Sequence, residues 1–237
     1  MSDVARLWVY LSASPLLWLF ATLAAYVIAD KFAAATGRHP LANPVLVATV
    51  PLAMLLWFTK TPYTTYFSGA QFVHFMLGPA TVALAVPLAA EFRRVRRLAV
   101  PIVIALLAGS LTAIFSAVGI AYLFGAPHDV LASLAPKSVT TPIAMGIASL
   151  IGGLPSLTAT IVVVTGILTG VIALPITRLL KVHDHAAHGF ASGLAGHGIG
   201  TARAFHDSPL AGTFAGLALA LNGLLTAVLA PLVMKLF

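Results

Sequence analysis

Residues 136–142 read Pro136-Lys137-Ser138-Val139-Thr140-Thr141-Pro142, a short polar stretch inside a chain that is otherwise apolar. A proline removes a backbone donor and disfavours helical geometry at the residue before it, so the two prolines predict a broken helix. A charged side chain at the centre of a bilayer costs roughly 3 kcal/mol and persists only where it faces protein or a watery cavity. The stretch therefore predicts a polar, discontinuous segment buried among other helices.

The composition indicates that the surrounding chain lies in a membrane. Of its 237 residues, 60% are hydrophobic and 8% are charged, and the mean hydropathy is +1.02. Soluble domains carry about 25% charged residues. At about 20 residues per spanning helix, the chain has room for about six to eight membrane segments. We predict an all-α polytopic membrane protein that forms a single domain, residues 1–237.

The formal charge of +7 comes from basic residues scattered between apolar runs, with one cluster at Arg93-Arg94-Val95-Arg96-Arg97. Such a cluster is typical of a cytoplasmic loop that contacts anionic lipid headgroups, so we expect the lipid bilayer and no nucleic acid as its partner. The first apolar run is too long for a cleaved signal peptide and is expected to be retained as a span. These features predict a multi-pass protein of the inner (cytoplasmic) membrane.

Seven apolar runs are separated by polar residues, and the stretch between the last two is unusual. Residues 183–207 are rich in Gly, Ala and His. They are too polar for a lipid-facing helix and lack the charge of an extended loop, so we predict a re-entrant or discontinuous element. The apolar runs are residues 15–29, 44–58, 72–90, 98–124, 139–151, 157–180 and 210–232.

The two halves of the chain resemble each other. Residues 43–49, Asn-Pro-Val-Leu-Val-Ala-Thr, recur as residues 154–160, Leu-Pro-Ser-Leu-Thr-Ala-Thr, and residues 109–113 recur as 223–227. Repeats with interrupted segments at matching positions are typical of secondary transporters, whose substrate lies near the midplane at the repeat interface. We predict two repeats, 1–125 and 126–237. They are inverted if the interrupted segments dip in and return, which the charges favour, and parallel if those segments cross fully.

Two polar clusters could bind a small carboxylate. In the first, Lys137 supplies a cation and Ser138, Thr140 and Thr141 supply hydroxyl groups, while backbone amides near Pro142 add further donors. The alternative for Lys137 is that it extends from a helix end to the lipid headgroups.

The second cluster lies in residues 195–204, where alternating glycines allow close backbone approach. Arg203 could hold a carboxylate with two hydrogen bonds, and His197 could act as a donor or as a protonation switch. The alternatives are a topological charge beside Asp207 for Arg203 and helix packing for His197.

Other polar residues fall at matching places in the two halves, namely Asn43, Thr81, Thr112, Asn222 and Thr226. Helix packing explains them by default, although Asn43 and Asn222 could also line a cavity. The candidate substrate-binding residues are Lys137, Ser138, Thr140, Thr141, His197, Thr201, Arg203, Asn222, Thr81 and Asn43.

The histidines at 183, 185 and 188 with Asp184 have the residue types of a zinc site, but no thiolate or second carboxylate supports one. We expect a solvated loop cluster and no metal. The glycine run follows no strand, so it is not a nucleotide-binding loop. With no nucleophile and base pair and no cofactor motif, we expect neither an enzyme nor a cofactor.

Four stretches together resemble the hallmark motifs of the LrgB/CidB family, and the resemblance covers nearly the whole chain in the right order. They are Leu77-Gly78-Pro79-Ala80-Thr81-Val82-Ala83-Leu84-Ala85-Val86-Pro87-Leu88, residues 136–144, residues 197–204, and Gly212-Thr213-Phe214-Ala215-Gly216-Leu217-Ala218 with Asn222-Gly223. The resemblance implies one of two functions. Family members are described as antiholin-like or holin-like regulators of murein hydrolase export, whereas relatives such as a plastid glycolate/glycerate translocator carry small carboxylates.

The residues favour the carrier. A holin needs helices that assemble into a large lesion, and that task does not require paired broken segments bearing Lys137 and Arg203. We expect a secondary carrier of small 2-hydroxy or 2-oxo monocarboxylates, such as glycolate, glycerate or pyruvate, that works by alternating access. The alternative is a holin/antiholin-like regulator of murein hydrolase export and autolysis. The resemblance implies a separate small LrgA/CidA-type membrane subunit, and we expect a homodimer.

Overall fold

A computed structural model describes residues 14–39 and 42–237, and these residues form helices joined by short turns. The chain divides into two compact units, one ending at Ala83 and one spanning Leu84–Phe237. The proposed repeats 1–125 and 126–237 stay a prediction, as does the number of crossings. Within the described part, five stretches are long and apolar enough to cross a membrane, as expected of a multi-pass protein: Pro15–Ala35, Tyr63–Ala90, Ala99–Leu123, Pro155–Leu179 and Pro209–Met234.

In the first unit, two helices, α2 and α3, pack against α1. Gly69 lies directly against the α1 backbone, since a Cβ atom there would overlap the carbonyl oxygen of Pro15. Trp18 is fully buried beside Tyr66, with their ring centroids 5.9 Å apart. The helices of this unit are α1 (Pro15–Ala35), α2 (Pro44–Thr59), α3 (Tyr63–Phe75) and α4 (Leu77–Ala83).

The second unit is built on three long apolar helices, α7, α10 and α12, with the shorter and interrupted helices packed among them. Its helices are α5 (Ala85–Ala90), α6 (Phe92–Arg97), α7 (Ala99–Leu123), α8 (His128–Leu134), α9 (Thr141–Leu150), α10 (Pro155–Leu179), α11 (His185–Asp207) and α12 (Pro209–Met234).

The helices α8 and α9 form a hairpin whose turn contains the predicted break. The first helix ends at Leu134 and the next begins at Thr141, so the predicted discontinuity at residues 136–142 is confirmed. The chain folds back at this turn, because a Cβ atom at Gly152, just after α9, would lie 3.8 Å from the ring of His128 at the start of α8. We call residues 128–150 the first hairpin.

The helix α11 also folds back on itself. Its backbone leaves helical geometry at His197, where φ is 42° and ψ is −133°. In a straight helix, residues 188 and 207 would be about 28 Å apart, yet Nε2 of His188 lies 3.1 Å from Oδ2 of Asp207. The predicted discontinuity within residues 183–207 is therefore confirmed. We call residues 185–207 the second hairpin, with a first arm at 185–196 and a second arm at 198–207.

The two hairpins occupy opposite halves of the three-helix scaffold. The first packs its apolar residues against the C-terminal halves of α7 and α12, through residues such as Ile114 and Ala230. The second packs against their N-terminal halves, through residues such as Ile102 and Phe214. The tips of the two hairpins consequently approach each other near the middle of the long helices.

Two glycines bring the first arm of the second hairpin into direct contact with α12. A Cβ atom on Gly189 would overlap the backbone of Ala211, and one on Gly193 would overlap the backbone of Ala215. Small residues at such positions let helix backbones approach closely, which is a common source of helix association in membranes.

Replacing Gly193 by alanine is expected to lower the free energy of unfolding by about 1–3 kcal/mol, because the added methyl group forces the two backbones apart. Gly198→Ala is a matched control in the other arm, since a Cβ atom there would have no atom within 4 Å. Thermal unfolding of both purified variants in detergent measures the difference. Equal unfolding midpoints would contradict the close contact.

Candidate functional site

The side chain of Asn222, on α12, lies at the centre of the second unit and is only 1% exposed. Its Oδ1 accepts hydrogen bonds from Ser110 Oγ at 2.7 Å and from Thr226 Oγ1 at 3.2 Å. Its Nδ2 donates to the carbonyl oxygens of Ser138 at 3.1 Å and of Leu194 at 3.0 Å. The carboxamide therefore uses its full capacity of two donors and two acceptors.

The two carbonyl groups held by Asn222 belong to the two hairpin tips. Ser138 lies in the turn of the first hairpin, between the two helices. A continuous helix would pair the carbonyl of Leu194 with the N–H of residue 198, but the backbone between them leaves helical geometry at His197. Such groups must be satisfied within the protein at membrane depth. Asn222 thus donates hydrogen bonds to a carbonyl group at each helix break and links the two tips to α12.

Lys137 lies on the tip of the first hairpin and is partly buried. Its Nζ donates a hydrogen bond to the hydroxyl group of the neighbouring Ser138 at 3.3 Å. Across residues 14–39 and 42–237, no carboxylate forms an ion pair with it. The structure thus places a cation beside the Asn222 centre without an acidic partner in the described part of the chain.

The helix α9 begins at the same tip. Thr140 is its N-cap residue, with φ −61° and ψ 145°, but the Thr140 side chain makes no capping hydrogen bond. Thr141 is the first helical residue, and Pro142 follows in the first turn. The N-terminus of a helix carries a partial positive charge and unpaired N–H groups, so it adds to the charge of Lys137.

His197 forms the tip of the second hairpin and is 5% exposed. Its Nε2 donates to the carbonyl oxygen of Val162 on α10 at 2.9 Å. The carbonyl oxygen of His197 accepts a hydrogen bond from Thr201 Oγ1 at 2.8 Å. Gly166 makes room for the ring, since a Cβ atom there would lie 2.6 Å from Cε1. A positive φ is costly for a residue other than glycine. His197 therefore holds the tip against α10 in a strained conformation.

Arg203 lies away from this centre, in the second arm. It is six residues beyond His197, which corresponds to about 9 Å along a helix. Its Nη2 lies 3.3 Å from Oδ1 of Asp207, near the open end of the hairpin. The pairing matches the alternative considered for this arginine, a charge beside Asp207.

The histidine cluster around residue 188 is only partly solvated, which corrects the expectation from the sequence. His183 and His185 are exposed, but His188 is 4% exposed. Its Nε2 contacts Asp207, and its Nδ1 lies 3.0 Å from Thr177 Oγ1 on α10. The contact with Asp207 needs the fold-back at His197, and Thr177 lies on another helix, so the sequence pattern alone carried no signal for them. Among the described residues, no group of three or more such ligands is placed to hold a metal ion.

The remaining candidates lie in the first unit. Asn43 caps α2, where its Oδ1 accepts from the N–H groups of Val45 at 2.9 Å and Leu46 at 3.4 Å. Thr81 belongs to α4, and its side chain lies outside the described part of the structure. Sequence reasoning did not select Ser110, although a hydroxyl group within an apolar run was a usable signal.

Comparison with known proteins gives a consistent result. The model of the LrgB-like family matches residues 22–236. The chain is 36% identical over 219 residues to the uncharacterized protein YwbG of Bacillus subtilis, covering 92% of this chain and 96% of that protein. It is 35% identical to the uncharacterized protein YxaC of the same organism, with coverages of 91% and 94%. An uncharacterized protein of Haemophilus influenzae is 33% identical, with coverages of 82% and 84%. No solved structure matches. By the match over nearly its whole length, this chain belongs to the LrgB-like family.

Proposed function

We propose that this protein is a secondary carrier of small monocarboxylates, 2-hydroxy or 2-oxo acids such as glycolate, glycerate or pyruvate, in the inner membrane. The observation that carries the proposal is the position of Lys137. It lies on one hairpin tip without a carboxylate partner in the described chain, next to the residue that ties both tips together. A partly buried cation without a carboxylate partner favours an anionic ligand.

The hydrogen-bonding groups at the tips support an anion over a cation. The carbonyl groups of Ser138 and Leu194 are occupied by Asn222. The first-turn amides of α9 receive no side-chain cap from Thr140. The first-turn N–H groups of α9 therefore remain available as donors beside Lys137, whereas the two carbonyl groups already accept hydrogen bonds from Asn222. In this proposal, the hydroxyl groups of Ser138, Thr140 and Thr141 recognise the 2-hydroxy or 2-oxo group, and Lys137 holds the carboxylate.

The two hairpins supply a route for alternating access. In the membrane they are re-entrant elements that enter opposite halves of the scaffold and meet at the midplane. Transporters place substrate where broken helices meet, and movement of one element against another exposes that place to one side at a time. In this scheme Arg203 forms an ion pair with Asp207 near the open end of the second hairpin. We further propose a homodimer that works with a small LrgA/CidA-type membrane subunit.

Uptake by proteoliposomes tests the proposal. Purified protein is reconstituted with and without the small subunit, and uptake of radiolabelled pyruvate, glycolate and glycerate is measured against entrapped dye leakage. We expect saturable uptake of at least one acid, competition by the other acids, and dye retention. Absence of uptake together with unselective leakage would instead support the holin-like function.

A further inference from the structure

An apolar groove of about 460 Å³ runs along the first arm of the second hairpin, outside the site described above. Its walls come from α7, through residues such as Pro101 and Ala105, and from the hairpin, through Ala187, Phe190 and Ala191. Ala187 and Ala191 are four residues apart and both are exposed, so the groove follows one face of the arm. An apolar groove of this kind fits an extended hydrocarbon chain.

One end of the groove lies at Leu194, whose carbonyl oxygen accepts a hydrogen bond from Asn222. Leu194 lies on Gly109 of α7, where an added Cβ atom would be 2.9 Å from the leucine side chain. Both residues line the groove. Leu194 thus borders both the groove and the Asn222 centre.

The basic helix α6 borders the outer end of the groove. Asp184 and Phe214 line the groove, and Arg94 contacts both: its Nη2 lies 3.7 Å from Asp184 Oδ1, and its guanidinium lies 6.0 Å from the centre of the Phe214 ring. Arg94 belongs to α6, which also carries Arg93, Arg96 and Arg97, and all four side chains are exposed. The four arginines outnumber the nearby acidic residues Glu91 and Asp184.

We propose that this groove binds one acyl chain of an anionic phospholipid, with the phosphate headgroup held by Arg94 and the other arginines of α6. The apolar walls match the chain, and the basic end matches the charge of the headgroup. This combination distinguishes the groove from an ordinary lipid-facing surface, where no cluster of cations sits at one end. The proposal goes beyond the carrier function and does not depend on it.

Native mass spectrometry of the delipidated full-length protein tests this site without measuring transport. The protein is titrated with phosphatidylglycerol and with phosphatidylcholine that carry the same acyl chains. We expect tighter binding of phosphatidylglycerol, and a loss of about fivefold in Arg94→Gln, since one arginine near an anionic lipid contributes about that factor. Lys235→Gln, a cation just past the far end of α12, should leave the affinity unchanged.

Filling the groove tests the acyl chain separately. Ala191→Phe and Ala187→Phe should each abolish the preference for phosphatidylglycerol, whereas Ala108→Phe, on α7 but outside the groove, should retain it. Equal binding of the two lipids, or undiminished binding in both filled variants, would overturn the proposal. So would displacement of the lipid by soluble glycerol phosphate, which would show that the headgroup alone is bound.

Because the chain contains no cysteine, disulfide trapping can test whether a second copy of the chain occupies the groove. Ala191→Cys places one thiol in the groove, and oxidation of native membranes should leave this variant monomeric on a denaturing gel if lipid fills the groove. A disulfide-linked dimer would show that a second copy of the chain covers the groove and would overturn the proposal.

Discussion

Replacing Lys137 by alanine is expected to reduce carboxylate uptake in proteoliposomes by about 30-fold or more. The reason is that truncating one partner of a desolvated charge pair costs about 2–5 kcal/mol, and 2 kcal/mol corresponds to roughly that factor. The protein should still fold, because the described contact of the amine is with its neighbour Ser138 and joins no two helices. Initial uptake rates, measured over a range of substrate concentrations, give the loss.

Two further variants serve as comparisons for this measurement. Lys137→Arg keeps the positive charge and should retain more uptake than the alanine variant, with a changed preference among the acids because the guanidinium is larger and planar. Lys235→Ala removes a cation from the end of α12 and should transport like the wild-type protein. Uptake by Lys137→Ala at the wild-type rate, from a protein with an unchanged unfolding midpoint, would exclude Lys137 from the site.

Replacing Asn222 by leucine should lower the free energy of unfolding by about 2–6 kcal/mol. The substitution leaves the carbonyl groups of Ser138 and Leu194 without their donor, and each buried group that loses its partner costs about 1–3 kcal/mol. The hydroxyl groups of Ser110 and Thr226 lose their acceptor as well. Thermal unfolding in detergent measures the change, and uptake should fall with it because both tips are released.

The chain's other asparagine provides the matched control. Asn43 caps α2 in the first unit, and removal of such a cap costs about 1 kcal/mol. Asn43→Ala should therefore destabilise the protein much less than Asn222→Leu. Thr226→Val removes one of the four hydrogen bonds of Asn222 and should be intermediate. Similar unfolding midpoints for Asn43→Ala and Asn222→Leu would show that Asn222 does not support the tips.

Local signals in the sequence predicted where the helices break. The paired prolines around Lys137 placed the first interruption, and the Gly, Ala and His composition of residues 183–207 placed the second. Both signals act on the backbone of the residues that carry them, by removing donors or by removing side chains. This is why they could be recognised without knowledge of the fold.

The contacts between the broken elements could not be predicted in the same way. His188 contacts Asp207 only because the chain reverses at His197. A histidine between two glycines does not by itself predict a positive φ. By contrast, Arg203 pairs with Asp207 four residues further along the same arm, a local contact that the sequence did offer as the alternative for this arginine. Asn222 was interpreted mainly as a packing residue, since the carbonyl groups that it binds are distant in sequence.

The second hairpin is held at both ends, at the tip through Leu194 and Asn222 and at the open end through His188 and Asp207. Inserting or deleting one residue within an arm turns everything beyond it by about 100° about the helix axis. Such a change would rotate Gly193 away from α12 and place a larger residue next to it in sequence against the backbone of Ala215. Divergence among relatives should therefore alter the side chains of these arms while keeping their length, and gaps in an alignment should gather in the connections between helices.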